Sequence, residues 1–150
     1  MSFFSKRISD REWLDGVVPL YEAARPLMIA LSEAARNDLV EDQLRPVQDV
    51  LQQLPIIADR MKAFPGPTSS DARQADHDLQ VALRDYIRAA KEGDRLFRKL
   101  AGKVGQRLQW GGLAGRLEGA SVVAQKTMFE EIVKAAEKSM SKAAPFFSSR

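Results

Sequence analysis

Residues 70–108 read SDARQADHDLQVALRDYIRAAKEGDRLFRKLAGKVGQRL, and this stretch decides the fold class. Its apolar side chains recur every three or four residues, which is the period of an amphipathic α-helix. They are Leu79, Ala82, Leu83, Tyr86, Ile87, Ala90, Phe97, Leu100, Val104 and Leu108. Gly93 interrupts the pattern but costs only about 1 kcal/mol relative to alanine, and the pattern resumes in phase after it. We therefore predict one long helix that continues through Gly93.

The segments on either side of this helix are turns. Residues 64–70, FPGPTSS, hold two prolines, one glycine and three hydroxyl residues, which cannot continue a helix but do supply an N-cap. We predict a movable loop here, with the cap among residues 68–70. Trp110, Gly111 and Gly112 end the long helix, and a fourth helix is predicted over 113–143.

The first helix is predicted to begin at a capping box. Ser9 and Glu12 have the S-x-x-E spacing in which the serine hydroxyl and the glutamate carboxylate bind free amides at a helix start. Apolar residues at helical spacing extend the element to about Arg36. Pro19 and Pro26 lie inside it, and because each lacks an amide hydrogen we expect a kink or a restart there.

A second helix is predicted over roughly 39–63, after a turn at residues 37 and 38. Pro46 and Pro55 interrupt its hydrogen-bond ladder in the same way. Its predicted apolar face consists of Leu44, Val47, Val50, Leu51, Leu54, Ile57, Met61 and Phe64.

These four elements make the protein all-α. No segment shows the alternating pattern of a β-strand, so we expect an antiparallel bundle of about four long helices, the first two kinked by prolines, with no β-sheet. The chain of 150 residues has the size of a single domain, 1–150. Residues 1–8 and 144–150 are expected to be frayed tails, and residues 64–70 to join two helical hairpins. Phe146 and Phe147, close to the C-terminal end, are expected to tuck into the bundle.

Composition limits the location and the class of protein. The chain contains no cysteine, and a small fold without disulfides fits a reducing compartment, so we expect a cytoplasmic protein. The first residues lack the central apolar region of a secretory signal. No stretch approaches the roughly 20 apolar residues of a membrane-spanning helix, and the protein is therefore expected not to be transmembrane.

Motifs for catalysis, metal binding or cofactor binding are not found. His77 is the single histidine, and its neighbours one turn away on the helix, Arg73 and Val81, offer it no carboxylate. No glycine-rich segment ends in the Gly-Lys-Ser/Thr of a phosphate-binding loop. We expect no catalytic residue, no metal site and no cofactor, and an enzyme is not favoured.

A stripe of basic residues on the long helix is the first candidate site. The net charge is +3, from 23 Lys and Arg against 20 Asp and Glu, but residues 71–150 alone carry 15 basic and 10 acidic side chains. Spacings of three and four place the basic residues near one face. They are Arg84, Arg88, Lys91, Arg95, Arg98, Lys99, Lys103 and Arg107. Such a face fits phosphates, an anionic membrane surface or an acidic partner. It also fits an ordinary solvated helix face.

An apolar stripe on the fourth helix is the second candidate. Leu117, Ala120, Ala124 and Met128 line one side, and a second stripe lies 120° to 160° around the same helix. The second stripe comprises Val122, Phe129, Val133, Ala136 and Met140. Either the first helix wraps around to cover it, or it is an exposed interface with a partner or a second copy.

These features favour a non-enzymatic binding protein. The leading hypothesis is a helical protein–protein interaction or self-association module that uses the second apolar stripe, and self-association through this stripe would give a dimer. The alternative is an anion-binding module that uses the basic stripe. Nucleic acid is then a possible partner, but a less favoured one, because no aromatic residue interleaves with the stripe for base stacking.

Overall fold

The computed structural model describes residues 7–36, 44–102 and 112–148, and these form four helices. They are α1 (Asp10–Arg36), α2 (Leu44–Lys62), α3 (Ser70–Ala101) and α4 (Gly112–Ser148). The described ranges contain no strand and only one isolated bridge, between Ile8 and Pro67. The predicted all-α class is confirmed.

Helix α1 begins at the predicted cap. The Ser9 hydroxyl accepts a hydrogen bond from the Glu12 amide at 3.1 Å, which satisfies one of the free amides of the first turn. The helix continues through Pro19 and Pro26 as one element. Each proline leaves the carbonyl four residues earlier without its helical donor. Whether the axis bends at these positions stays a prediction.

The limits of α2 and α3 follow the predicted pattern where the structure describes them. Helix α2 is described from Leu44, and the predicted start near residue 39 falls outside the described residues. Ser69 caps α3 by accepting from the Ala72 amide at 3.0 Å. Helix α3 is continuous through Gly93, as predicted. Its predicted extension to Leu108 also falls outside the described residues.

Helix α4 is longer than predicted. It passes through Pro145 to Ser148, so residues 144–148 are not a frayed tail. The reason is tertiary packing, because Phe147 is buried, stacks on Tyr21 with ring centroids 4.9 Å apart and lies 5.7 Å from Trp13. Aromatic burial of this size outweighs the one backbone hydrogen bond that a proline removes.

The segment before α1 is tied to the connection between α2 and α3. The Ile8 amide donates to the Gly66 carbonyl at 3.1 Å, and the Thr68 hydroxyl donates to the Ile8 carbonyl at 2.7 Å. One carboxylate oxygen of Asp10 accepts from the amides of Thr68 and Ser69 at 3.1 and 3.0 Å. Ile8 is therefore not part of a frayed tail, and the loop predicted to move is held by four hydrogen bonds.

The helices form a ring in chain order. Helix α3 packs most extensively on α4, the pairs α2–α3 and α1–α2 follow, and α1 and α3 lie on a diagonal. Gly93 lies against Phe129, whereas Tyr86, earlier in α3, shares a slot with Glu137, later in α4. These two helices therefore run in opposite directions. One continuous core fills the ring, and its largest fully buried side chains include Trp13 and Phe97.

Candidate functional site

The apolar stripe predicted as an interface on α4 is the inner face of that helix. Val122, Phe129, Val133 and Ala136 are all 2% exposed or less, and Met140 is half-buried against the core. A partner could reach these side chains only if the bundle opened. The prediction that this stripe is exposed is therefore wrong. The stripe is covered within the bundle, but chiefly by α3 and not, as the alternative had it, by the first helix.

Helix α3 supplies most of that cover. The Phe129 ring meets Phe97 edge to face with centroids 5.9 Å apart. It also lies directly over Gly93, where a Cβ atom would come 2.9 Å from the ring. Three members of the opposite stripe of α4 face outward instead, with Met128 52% exposed and Ala120 and Ala124 exposed as well, and the side chain of Leu117 lies outside the described part of the chain.

Large exposed apolar side chains on the described surface are distributed over three helices and one connection. They are Ile29 on α1, Ile56 on α2, Phe64 in the α2–α3 connection, and Val123 and Met128 on α4. Single exposed apolar residues are normal on protein surfaces. No particular face of the described chain is therefore favoured for self-association.

The basic stripe on α3 lies in solvent. All six members that the structure describes have exposed side chains, namely Arg84, Arg88, Lys91, Arg95, Arg98 and Lys99. Lys103 and Arg107 lie outside the described residues. At 1.5 Å per residue, the described part of the stripe is about 22 Å long.

Acidic neighbours neutralise only part of this stripe. Arg98 pairs with Asp94 at 2.9 Å, Arg95 pairs with Glu92 at 3.2 Å, and Arg84 lies 3.4 Å from Asp85. Among the residues that the structure describes, no carboxylate comes within 4.0 Å of Arg88, Lys91 or Lys99. The uncompensated charge is therefore concentrated at these positions rather than spread evenly.

A groove between α2 and α3 gathers part of this charge, and we call it the basic groove. It has a volume of about 310 Å³. Its charged rim consists of Lys62, Arg84, Arg88 and Lys91, and its remaining lining is Ala58, Gln80, Leu83 and Ile87. No acidic side chain lines it. Cations above an apolar floor attract an anion and give its apolar parts a contact surface.

Gln80 is the uncharged polar residue in the lining of the basic groove. Its side-chain oxygen is buried and has no hydrogen-bond partner, whereas its side chain also bonds to the Asp76 carboxylate. Burial raises the pKa of Asp76, and the bond from Gln80 and the nearby His77 charge partly oppose that rise.

Two lysines that the sequence did not single out have defined positions. Lys62 comes from the end of α2 and completes the rim of the basic groove. Lys126 is 9% exposed and donates to the carbonyls of Ala34 and Ala35 at 3.3 and 2.9 Å, with its ammonium group 5.7 Å from the centre of the Phe129 ring. A cation there satisfies free carbonyls at the C-terminal end of α1 and complements the helix dipole.

Metal-binding clusters and membrane-spanning helices are absent from the residues that the structure describes. His77 is exposed on α3. Over residues 7–36, 44–102 and 112–148, no group of three His, Cys, Asp or Glu side chains could hold a metal ion. In the same ranges, no helix is both long and apolar enough to span a bilayer.

Comparison with known proteins gives no relative. No family model, no curated protein and no solved structure matches this chain. These comparisons therefore assign no function to the chain.

Proposed function

We propose that this protein is a non-enzymatic binding module whose basic groove takes an acidic, amphipathic segment of a partner protein. The observation that carries the proposal is the lining of the groove, which has four basic side chains, no acidic one and an apolar floor. A partner helix with carboxylates beside leucine-like side chains complements both parts, in the manner of helix-in-groove recognition. Complementary charge would steer the encounter and set its orientation.

A nucleic acid fits the same surface less well. Beyond the groove, Arg95 and Arg98 are already paired with acidic residues of α3, which weakens any continuous track for phosphates. No aromatic side chain lines the groove, so bases would have no stacking platform. The apolar floor formed by Ala58, Leu83 and Ile87 has a use for a peptide and none for a phosphate chain.

The test uses three labelled probes and fluorescence anisotropy. The first is a synthetic helical peptide of about 16 residues, about 24 Å long, with Leu and Glu at helical spacing. The second is polyglutamate of the same length, and the third is a single-stranded oligonucleotide. We expect the amphipathic peptide to bind most tightly at about 200 mM salt, where phosphate binding is already weak. Tighter binding of the oligonucleotide at that salt would overturn the proposal in favour of nucleic acid.

Two double charge reversals provide matched variants. Arg88→Glu with Lys91→Glu changes the groove, and Arg95→Glu with Arg98→Glu makes the same change in charge on the same helix outside it. The first pair should weaken peptide binding about tenfold or more, because it replaces attraction by repulsion at the rim. The second pair should change binding much less. Equal losses in both variants would show that net charge alone, and not the groove, attracts the probe.

The floor of the groove has its own variant. Ile87 is half-buried and lines the groove, so Ile87→Ala removes apolar contact surface and leaves the charge unchanged. We expect weaker binding of the amphipathic peptide and unchanged binding of polyglutamate. If both probes respond alike, the apolar part of the proposal fails.

A further inference from the structure

A second opening lies on another side of the bundle, between α1 and α4, and we call it the α1–α4 slot. It has a volume of about 390 Å³ and shares no lining residue with the basic groove. This volume is in the range of pockets for small organic molecules. Any ligand here would therefore be independent of the partner proposed for the basic groove.

The slot lies between two groups of contacts that join α1 to α4. At one end Tyr21 stacks on Phe147. At the other end Lys126 binds the last carbonyls of α1. Between these contacts, Ser32 of α1 reaches Tyr86 of α3 with hydroxyl oxygens 3.0 Å apart, and both residues line the slot. Pro26 lies within the same stretch of α1, where the carbonyl of Glu22 lacks its helical donor.

The two hydroxyls at the bottom of the slot leave one hydrogen without an acceptor. Ser32 is 6% and Tyr86 is 3% exposed, and each has only the other as a hydrogen-bond partner among the described residues. One hydroxyl donates to the other, and the accepting hydroxyl keeps its own hydrogen. Burial raises the pKa of Tyr86, with Glu137 adding to the rise and the Ser32 bond and Arg36 opposing it. Tyr86 therefore stays a neutral phenol at physiological pH, and the spare hydrogen is always present.

The rest of the lining is apolar, balanced in charge, or already hydrogen-bonded, because the hydroxyls of Ser141 and Ser148 donate to carbonyls of α4 itself at 2.8 Å. Met28, Met140 and Ala144 provide apolar walls below the rim. At the rim Arg36 pairs with Glu137. The lining holds one further cation, Arg25, and one further anion, Glu33. With two cations and two anions, the slot attracts neither a net positive nor a net negative ligand.

We propose that the α1–α4 slot binds a small, uncharged, mostly apolar molecule that carries one hydrogen-bond acceptor. The acceptor takes the spare hydroxyl hydrogen of the Ser32 and Tyr86 pair, and the apolar body lies against Met28 and Met140. An aromatic ketone has this chemistry. Acetophenone is a suitable probe, and toluene, which has the ring but no acceptor, is its control.

The five methionines allow binding to be located by NMR of carbon-13-labelled methyl groups. Met28 and Met140 line the slot, whereas Met61 is buried in α2 and Met128 lies on the outer side of α4. During titration with acetophenone, we expect the Met28 and Met140 signals to shift along one saturable curve while the Met61 and Met128 signals stay in place. Unmoved slot signals, or a Met128 signal on the same curve, would overturn the proposal.

A double variant tests the role of the hydroxyls. Ser32→Ala with Tyr86→Phe removes both hydroxyls together, which leaves no unpaired partner and is nearly neutral for folding. In the unaltered protein, acetophenone should bind about fivefold more tightly than toluene, because toluene binds by apolar contact alone. The double variant should lose that advantage for acetophenone and keep its affinity for toluene. If acetophenone binds both proteins equally, the hydroxyl pair does not hold the ligand.

Discussion

Replacing Gly93 with alanine should destabilise this protein, although the same change stabilises an ordinary helix. In α3 the substitution gains about 1 kcal/mol of helix propensity. Against that gain, the new Cβ would lie 2.9 Å from one ring carbon of Phe129 and 3.4 Å from two others. The ring cannot move away cheaply, because Phe129 is fully buried and held edge to face by Phe97. Overpacking of this kind costs about 1–3 kcal/mol, so we expect a net loss of about 1 kcal/mol.

Urea unfolding followed by far-ultraviolet circular dichroism measures this change directly. The matched experiment repeats Gly93→Ala in a Phe129→Leu background, where the smaller side chain leaves room for the methyl group. There the same substitution should stabilise by up to about 1 kcal/mol, because only the propensity gain remains. The reasoning is refuted if Gly93→Ala stabilises both backgrounds equally.

Gly16 provides a contrasting position. A Cβ there would also meet a phenylalanine ring, that of Phe64. Phe64 is 38% exposed in the connection after α2, so its ring can turn into solvent. Gly16→Ala should therefore cost less than Gly93→Ala in the same assay.

Three further predictions concern pH and the C-terminal end of α4. Hydrogen bonds from the side chain and the backbone of Ser69 lower the pKa of Asp10 below 3.8. The ionised Asp10 carboxylate therefore contributes its full stabilisation above pH 3.8, and this contribution is lost as the pH falls through the lowered pKa. The urea midpoint of Asp10→Asn should accordingly lie below that of the unaltered protein at neutral pH and approach it in acid. Above pH 10.0, the ordinary pKa of tyrosine, Tyr86 ionises in the unfolded chain before it ionises in the buried, folded state. The free energy of unfolding should therefore fall with rising pH, and it should fall less steeply in Tyr86→Phe. Equal slopes in the two proteins would contradict this. Phe147→Ala should cost about 3–5 kcal/mol, and the half-buried Phe146 provides the milder control in the same unfolding assay.

The helical pattern could be predicted because local rules decide it. The caps at Ser9 and Ser69 depend on neighbouring residues alone, and both are confirmed. The second half of the predicted capping box, a bond from the Ser9 amide to the Glu12 carboxylate, is not formed. The continuity of α3 through Gly93 follows from a period that resumes in phase. Pro145 shows the limit of this reasoning, because contacts made by Phe147 with α1 extend α4 beyond the point at which local rules end it.

The inward face of α4 could not be predicted in the same way. Two apolar stripes on one helix fit a helical period equally well, and only the neighbouring helix decides between them. The Phe129 stripe faces inward because the missing side chain of Gly93 leaves room for the Phe129 ring. That room is a property of α3, so the sequence of α4 does not indicate it.

The candidate site could be predicted only in part, because some of its residues come from a neighbouring helix. Arg84, Arg88 and Lys91 form a visible pattern on α3, whereas Lys62 joins them only because α2 packs alongside. The Ser32 and Tyr86 pair joins residues 54 positions apart in the chain, which no local pattern indicates.

The position of Lys126 has a consequence for chemical labelling. An amine reagent needs access to the side-chain nitrogen, and that of Lys126 is enclosed between the end of α1 and the ring of Phe129. Lys62, Lys91, Lys99, Lys134, Lys138 and Lys142 are all exposed. Lys126 should therefore be modified last of these seven, at a rate set by how often the end of α1 leaves α4. One peptide in a mass spectrum would then report the opening of the bundle, without any label built into the protein.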